Sequence, residues 1–234
     1  SGDCRRARSP HCSSPMSEAG AAAAVDVDPT VIVGTGLIGA SIGCALTRRH
    51  VEVYLDDKER SHTMVAATRG AGIVAKPDPQ LVRLVVVAVP PAFIADVVEI
   101  SLRRYPNAVV TDVGSVKGTI LRDLQSRGVD LTRYVGSHPM AGTQFAGPMT
   151  AVAELFVDRT WVITPAQVNP PWCVQRVREL IALCGARSVQ RNPSDHDRAV
   201  AEVSHLPQLM SSLTAARLSE VPVEDLQLAG QGVR

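Results

Sequence analysis

Short, wholly apolar runs alternate along the chain with longer stretches in which apolar residues recur every three to four positions. The apolar runs predict strands at 31–33, 51–55, 84–89 and 108–113, and the longer stretches predict helices at 37–49, 61–70, 90–104 and 117–127. Strands without polar alternation are typical of a parallel sheet that is covered on both faces. The alternation therefore predicts right-handed βαβ units in an α/β fold with a doubly wound parallel sheet.

A glycine-rich turn, Gly34-Thr35-Gly36-Leu37-Ile38-Gly39, joins the first predicted strand to the first predicted helix. Gly34 permits the tight turn, Gly36 allows the backbone close to a pyrophosphate, and Gly39 lets the helix lie close to the strand. The helix N-terminus, which begins with Leu37 and Ile38, offers N–H groups and partial positive charge to the phosphates. An acidic strand end follows about 20 residues later, and the combination predicts a dinucleotide-binding Rossmann domain.

Two acidic residues, Asp56 and Asp57, end the second predicted strand. Either carboxylate would accept hydrogen bonds from the adenosine ribose hydroxyls and would repel a 2′-phosphate. The sequence therefore favours NAD over NADP as the cofactor, although basic residues follow directly. Val89 and Pro90, at the end of the third predicted strand, are assigned to the same cofactor site because ligands bind beyond the carboxyl ends of such strands.

The pattern changes in the last third of the chain. Strands at 160–163 and 187–190, on either side of a helix at 172–184, are able to extend the sheet. A long helix at 194–219, with a kink at Pro207, predicts the start of an all-helical second domain. The expected organisation is a disordered tail at 1–25, a Rossmann-type domain at 26–192 and a helical domain at 193–234, unfinished at the Gly230-Gln231-Gly232 turn.

Composition limits the classes of protein that fit. The 234 residues include 24 Lys and Arg against 23 Asp and Glu, and the net charge of +1 argues against a nucleic-acid-binding protein. No apolar run reaches the roughly 20 residues that span a bilayer, and no secretory signal is found, so a cytoplasmic protein is expected. The five cysteines match no zinc spacing, and no metal site is predicted.

Polar segments at 111–117 and 136–143 each follow a predicted strand, so both are expected to reach the nicotinamide end of the cofactor. His138 lies in a segment bounded by Pro and Gly, which is interpreted as a loop. Oxidation of an alcohol by hydride transfer needs a group that takes the hydroxyl proton, and an imidazole can do so near neutral pH. Ser115 is a candidate to hydrogen-bond that imidazole and orient it.

Four segments resemble the prephenate dehydrogenase family, which includes the arogenate dehydrogenases. They are the run at 31–39, Asp112-Val113-Gly114-Ser115-Val116-Lys117, Ser137-His138-Pro139-Met140-Ala141-Gly142 and Val203-Ser204-His205-Leu206-Pro207. The order and spacing of the four segments make the resemblance specific, and it extends from the first strand to the end of the chain.

The resemblance implies that NAD oxidises the ring C4 alcohol of prephenate or arogenate, with loss of the ring carboxylate as CO2. The products are 4-hydroxyphenylpyruvate or tyrosine. The family pattern assigns His138 and Ser115 to catalysis, with Ser115 touching both His138 and the substrate. It assigns Ser137, Thr143 and His205 to the substrate site, and it implies a homodimer of the full-length protein.

The sequence departs from the family pattern at Gln208, where many prephenate-using members have a second histidine. Gln208 is assigned to the substrate site, but an amide carries no positive charge for a substrate carboxylate, so prephenate and arogenate both stay open. The family also supplies an Arg for that carboxylate beyond Arg234. The chain is therefore expected to bind NAD but to turn over poorly, and to expose apolar surface on its 194–219 helix.

Two alternatives come from other classes. A different NAD-linked oxidoreductase, such as a 3-hydroxyacid dehydrogenase or an imine reductase, typically relies on a Lys in the helical domain, and residues 193–234 contain none. A non-catalytic NAD-binding module is the other alternative. The Ser115–His138 pair argues against it, because a sensor needs no proton acceptor beside the nicotinamide.

Overall fold

A computed structural model describes residues 26–226 of the chain. The predicted disordered tail at 1–25 and the Gly230-Gln231-Gly232 turn lie outside the described residues. The side chain of His205 lies outside them as well, so its predicted substrate contact stays a prediction.

Four strands form a wholly parallel sheet in the order β2–β1–β3–β4. The strands are β1 (Thr30–Val33), β2 (Val53–Asp56), β3 (Leu84–Val87) and β4 (Val109–Asp112). The chain passes from β2 on one side of β1 to β3 on the other side. Such a switch in strand order opens a crevice at the carboxyl ends of β1 and β3, where doubly wound sheets bind their ligands.

Helices cover both faces of this sheet: α1 (Leu37–Thr47), α2 (Arg60–Thr68), α3 (Ile94–Arg104), α4 (Gly118–Ser126) and α5 (Pro171–Leu183). Successive strand residues point to opposite faces, so each face has its own buried cluster. Ile32 packs with Leu46 of α1 and Leu180 of α5 on one face. Val31 packs with Leu124 of α4 on the other. The prediction of a doubly wound Rossmann-type fold is therefore confirmed.

The later strands form a second sheet of three strands: β5 (Gly136–Pro139), β6 (Thr160–Thr164) and β7 (Arg187–Gln190). The strand β6 is antiparallel to β5 and parallel to β7. A single parallel bridge between Val110 and Tyr134 joins this sheet to the first. The predicted strands at 160–163 and 187–190 are present, but they meet the first sheet only through this bridge, and β6 runs antiparallel to β5. Residues 140–159 form only short 3-10 turns, so no helix returns the chain for a parallel crossover.

Residues 193–226 are largely helical: α6 (Pro193–Val200), a π-helical turn (Ala201–His205), α7 (Leu206–Leu218) and α8 (Val223–Leu226). The predicted irregularity at Pro207 takes the form of this π turn. A proline has no N–H to donate, and its ring crowds the carbonyl four residues earlier, so a regular α-helical ladder cannot continue there. Four apolar residues of α7 share one exposed face, as expected for this helix: Leu206, Leu209, Met210 and Leu213.

Candidate active site

The glycine-rich turn lies between the end of β1 and the start of α1. Gly34 has a φ of 97°, and a Cβ there would lie 2.4 Å from the carbonyl oxygen of Ala88. A Cβ on Gly39 would lie 1.9 Å from the carbonyl oxygen of Gly34. Only glycine fits either position, because the turn, the next strand and the helix approach one another closely.

Gly36 differs from its two neighbours in the motif, since a Cβ there would meet no atom within 4 Å. The space above Gly36 is open, and α1 begins at the next residue without a side-chain cap. The first turn of α1 thus offers backbone N–H groups and the positive end of the helix dipole to that space. A pyrophosphate fits this arrangement.

A cleft of about 680 Å³ lies beside the turn, at the switch in strand order. Its walls include seven of the residues predicted to bind the cofactor: Gly34, Gly36, Leu37, Ile38, Asp57, Val89 and Pro90. Gly39 is not among its lining residues and serves the close packing of α1. Phe93 and Phe145 also line the cleft and add aromatic surface to it. The cleft therefore has the position and the lining that a dinucleotide requires.

The structure separates the two acidic candidates. The carboxylate of Asp57 lines the cleft and accepts hydrogen bonds from the N–H (2.6 Å) and the hydroxyl (3.0 Å) of Thr35. The carboxylate of Asp56 lies 3.9 Å from Arg104 and lines a separate cavity of about 460 Å³. Asp56 is thus corrected as a cofactor-binding candidate, because it ends β2 on the side of Arg104, whereas Asp57 follows the strand and meets Thr35 at the turn.

His138 is a strand residue of β5 and not a loop residue, because residues 136–139 pair with β6. Its Nδ1 lies 3.0 Å from Nε2 of His196 on α6, and the two rings meet edge to face at 75°. The other ring nitrogen of His196, Nδ1, lies 2.9 Å from a carboxylate oxygen of Asp197. A chain of two imidazoles and one carboxylate therefore runs from α6 to β5.

Asp197 also holds the N-terminus of α4. Its carboxylate accepts hydrogen bonds of 2.8 Å from the N–H groups of Lys117 and Gly118, and a Cβ on Gly118 would lie only 3.0 Å from it. Burial acts to raise the pKa of Asp197, but the hydrogen bonds from His196 and from these two N–H groups outweigh it and lower that pKa. Asp197 is therefore ionised at neutral pH, where it complements the helix dipole.

The loop that carries Ser115 rests on a buried group of charges. Asp112 is fully buried and forms an ion pair with Lys117, which also donates a 2.8 Å hydrogen bond to the carbonyl of Ser137. The hydroxyl of Tyr134 donates to the same carboxylate at 2.8 Å. Burial lowers the pKa of Lys117 and raises that of Tyr134. These bonds fix both ends of the half-buried Ser115 loop.

Ser137 is corrected as a substrate contact. Its side chain is fully buried, and its hydroxyl donates to the carbonyl of Asp112 at 2.9 Å. The same hydroxyl accepts hydrogen bonds of 3.0 Å from Thr111 and from the indole of Trp161. Its hydrogen-bonding capacity is used inside the protein, so Ser137 joins β4, β5 and β6.

The remaining candidates occupy separate places. Ser115 lies in the loop after β4, and its hydrogen bond to His138 stays a prediction. Thr143 is exposed in the loop after β5, where its hydroxyl bonds to the backbone of Phe145, a residue of the cleft wall. Gln208 is exposed on α7. Their predicted contacts with substrate stay predictions.

Within residues 26–226, no group of three or more His, Cys, Asp or Glu side chains is placed to hold a metal ion. None of the helices in that part of the chain combines the length and the apolar character needed to cross a membrane.

The sheet order, the glycine turn and the cleft define a nucleotide-binding α/β domain. The family described as "Prephenate dehydrogenase, nucleotide-binding domain" matches residues 42–190. The chain belongs to the prephenate dehydrogenase family. The resemblance seen in the sequence is confirmed, and so is the prediction of a nucleotide-binding domain.

Similar proteins agree with this assignment. The probable prephenate dehydrogenase NovF of Streptomyces niveus is 40% identical over 200 residues, 86% of this chain and 55% of that protein. The chain spans about half the length of the curated relatives it matches.

Two solved structures share the fold. Synechocystis arogenate dehydrogenase is 30% identical with a TM-score of 0.73, over 88% of this chain and 76% of that one. Prephenate dehydrogenase from A. aeolicus, in complex with hydroxyphenyl propionate and NAD+, is 25% identical with a TM-score of 0.76, over 88% and 75%.

Sequence reasoning missed His196 and Asp197, which connect α6 to His138 and to α4. The stretch around them was interpreted only as the start of a helix. One signal was present in the sequence, because His196 lies four residues before Val200 and therefore shares a helix face with an apolar residue. A histidine on the apolar face of a helix needs polar partners inside the protein, and the structure shows that these are His138 and Asp197.

Proposed function

We propose that the protein is an NAD-dependent prephenate dehydrogenase, which oxidises the ring alcohol of prephenate to give 4-hydroxyphenylpyruvate and CO2. The observation that carries the proposal is the family match over residues 42–190, which include both Ser115 and His138. The A. aeolicus prephenate dehydrogenase of similar fold, in complex with NAD+ and hydroxyphenyl propionate, supports the same chemistry.

The residues of the cleft would hold NAD, and bound NAD would supply the hydride acceptor for C4 of the substrate. His138 accepts the proton of the C4 hydroxyl as positive character develops at that carbon. Loss of CO2 makes the ring aromatic, and His138 returns the proton to the oxygen, which leaves a phenol. In this scheme Ser115 orients His138 and touches the substrate, while Thr143 and His205 line the substrate site.

The cofactor assignment rests on the cleft. Asp57 lines it at the end of β2, and its negative charge favours a ribose with free hydroxyls over a 2′-phosphate. Lys58 and His62 line the same cleft and favour the opposite choice. We expect NAD to be preferred, because Asp57 is already held at the turn by Thr35.

Arogenate is the second candidate substrate. Gln208, in place of the second histidine of many prephenate-using members, offers no positive charge to a carboxylate. Arogenate carries an ammonium group on the side chain where prephenate has a keto group, and Synechocystis arogenate dehydrogenase is 30% identical to this chain. The ratio of kcat/KM for the two substrates separates the candidates. Gln208→His should raise that ratio toward prephenate.

Formation of reduced nicotinamide tests the proposed activity, with the protein at its natural length and each substrate in turn. His138→Asn should lower kcat by about 10³-fold, because it removes the proton acceptor. The Kd for NAD should change by less than about twofold, since His138 is not among the residues that line the cleft. Absence of activity with both substrates would contradict the proposal. Loss of NAD binding in the variant would show that His138 is structural.

We further propose a Rossmann-type domain at 26–192 and a helical domain beginning at 193 and continuing through 234.

The exposed apolar face of α7 is of the kind that subunit interfaces cover, so a homodimer of the full-length protein is proposed. The near-neutral charge supports the absence of a nucleic-acid partner. A cytoplasmic location is proposed with the soluble biosynthetic role.

A further inference from the structure

His196 is a buried titratable side chain that the proposed mechanism does not use. The residue is 2% exposed, and both of its ring nitrogens have a partner in the protein. One partner is His138, the proposed proton acceptor, and the other is Asp197. This placement raises the question of what His196 does for His138.

The hydrogen bonds among Asp197, His196 and His138 determine which ring nitrogen carries each proton. The carboxylate of Asp197 is ionised and can only accept, so the proton between it and His196 lies on Nδ1 of His196. In a neutral imidazole the other nitrogen then carries a lone pair, so Nε2 of His196 is an acceptor. Nδ1 of His138 must therefore be the donor across the 3.0 Å contact. The lone pair of neutral His138 consequently lies on its Nε2.

We infer that His196, held by Asp197, is a positioning residue for His138: it fixes the tautomer and the ring orientation in which Nε2 of His138 is the proton acceptor. The inference rests on the proposed function for its role in the reaction. The hydrogen-bond arrangement itself does not depend on which substrate the protein uses.

The arrangement also accommodates the proton that His138 receives. When Nε2 of His138 takes the hydroxyl proton, Nδ1–H of His138 still donates to Nε2 of His196. The positive charge on His138 is then connected to the carboxylate of Asp197 through two hydrogen bonds. If the Nδ1 proton moves across to His196, His138 becomes neutral and His196 forms an ion pair with Asp197. The reverse transfers return the proton to the phenolate oxygen, so no proton is gained or lost.

Asp197 is held in place by contacts that do not involve His196. Its carboxylate is held by the N–H groups of Lys117 and Gly118 at 2.8 Å, independently of His196. Loss of the His196 ring would thus leave Asp197 in place at the start of α4. Substitutions at His196 can therefore test positioning without removing that cap.

Two substitutions at His196 keep different halves of the arrangement. His196→Gln places its amide near the former Nε2, so it can still accept the hydrogen bond from His138 but loses Asp197. His196→Asn places its amide near the former Nδ1, so it keeps Asp197 and loses His138. We expect kcat to fall by about 10²-fold in His196→Asn and by less than about tenfold in His196→Gln. A purely structural role predicts the reverse order, and that order would overturn the inference.

The tautomer of His138 gives a second readout that needs no turnover. A two-bond ¹H–¹⁵N spectrum of the imidazole rings, recorded near pH 8.5, distinguishes protonated from unprotonated ring nitrogens. The wild-type protein should show His138 protonated at Nδ1, the signals being assigned by their loss in His138→Asn. His196→Asn should shift the proton of His138 toward Nε2. A wild-type His138 protonated at Nε2 would overturn the inference.

His50→Asn is the matched control for the same chemical change. His50 is exposed just after the end of α1, away from the cleft, and asparagine tolerates its φ of 63°. Both kcat and the His138 spectrum should stay as in the wild type, and a shift in either would overturn the assignment of the effects to His196. If His138 is protonated at Nδ1 but neither substrate is oxidised, the result would contradict the proposed function and would still support the hydrogen-bond arrangement.

Discussion

The N–H of Thr35 donates a 2.6 Å hydrogen bond to the carboxylate of Asp57, and this bond ties the end of β2 to the glycine turn. Asp57→Asn should therefore weaken NAD binding about tenfold, because the amide loses the charge and one acceptor oxygen. The preference for NAD over NADP should fall as well. Titration of each cofactor by calorimetry measures both effects. Asp56→Asn is the matched control, and an equal loss in both variants would contradict the separation of the two acids.

Gly36 and Gly39 should respond differently to alanine. Gly39→Ala should lower the free energy of unfolding by about 3 kcal/mol, because its Cβ would collide with the carbonyl of Gly34. Gly36→Ala should leave stability within about 1 kcal/mol but weaken NAD binding, since the methyl group enters the open space above the turn. Urea unfolding and NAD titration test the pair. Normal NAD binding by Gly36→Ala would show that the pyrophosphate lies elsewhere.

Ser137→Ala should act on stability and not on substrate binding. It leaves the indole N–H of Trp161 without its buried acceptor and the hydroxyl of Thr111 with only the 3.4 Å contact to the carbonyl of Asp112, at a cost of about 2 kcal/mol. The KM for the substrate should change by less than about twofold. Ser126→Ala, at an exposed hydroxyl near the end of α4, should cost less than about 0.5 kcal/mol. A raised KM with unchanged stability would restore Ser137 to the substrate site.

The buried thiol of Cys184 predicts a pH dependence of stability. Burial raises its pKa from 9.0 to about 12. Above pH 9 the unfolded thiol loses its proton and the folded thiol keeps it, so the free energy of unfolding falls as pH rises through this window. The contribution reaches about 1.4 kcal/mol per pH unit. Cys184→Ala should make the decline between about pH 9 and 10.5 shallower by that amount in urea unfolding. Parallel slopes would contradict a buried neutral thiol.

Patterns of residues that are close together in the sequence were sufficient to predict much of the fold. The apolar runs and the glycine turn predicted four parallel strands and seven of the residues that line the cleft, because each depends on residues close together in the sequence. The choice between Asp56 and Asp57 could not be made in this way. Adjacent strand residues point to opposite faces, and composition does not reveal which face meets the cleft. The same ambiguity explains the error at Ser137, whose side chain points into the interior.

The contact between His138 and His196 could not be predicted from local sequence patterns. The two residues are 58 positions apart, and they meet only because α6 packs beside α4 and β6. The antiparallel pairing of β5 with β6 was equally inaccessible, since apolar periodicity predicts strands but not their direction.

The π turn at Ala201–His205 sets the rotational phase of everything that follows it. One additional residue in a helical turn rotates the downstream side chains by about 100°. A helical wheel drawn without interruption from Pro193 would therefore place four residues on the wrong side of the helix: Leu206, Leu209, Met210 and Leu213. Deleting one residue within 201–205 would turn that apolar stripe by more than a quarter of a revolution, with no change in the amino acids that compose it.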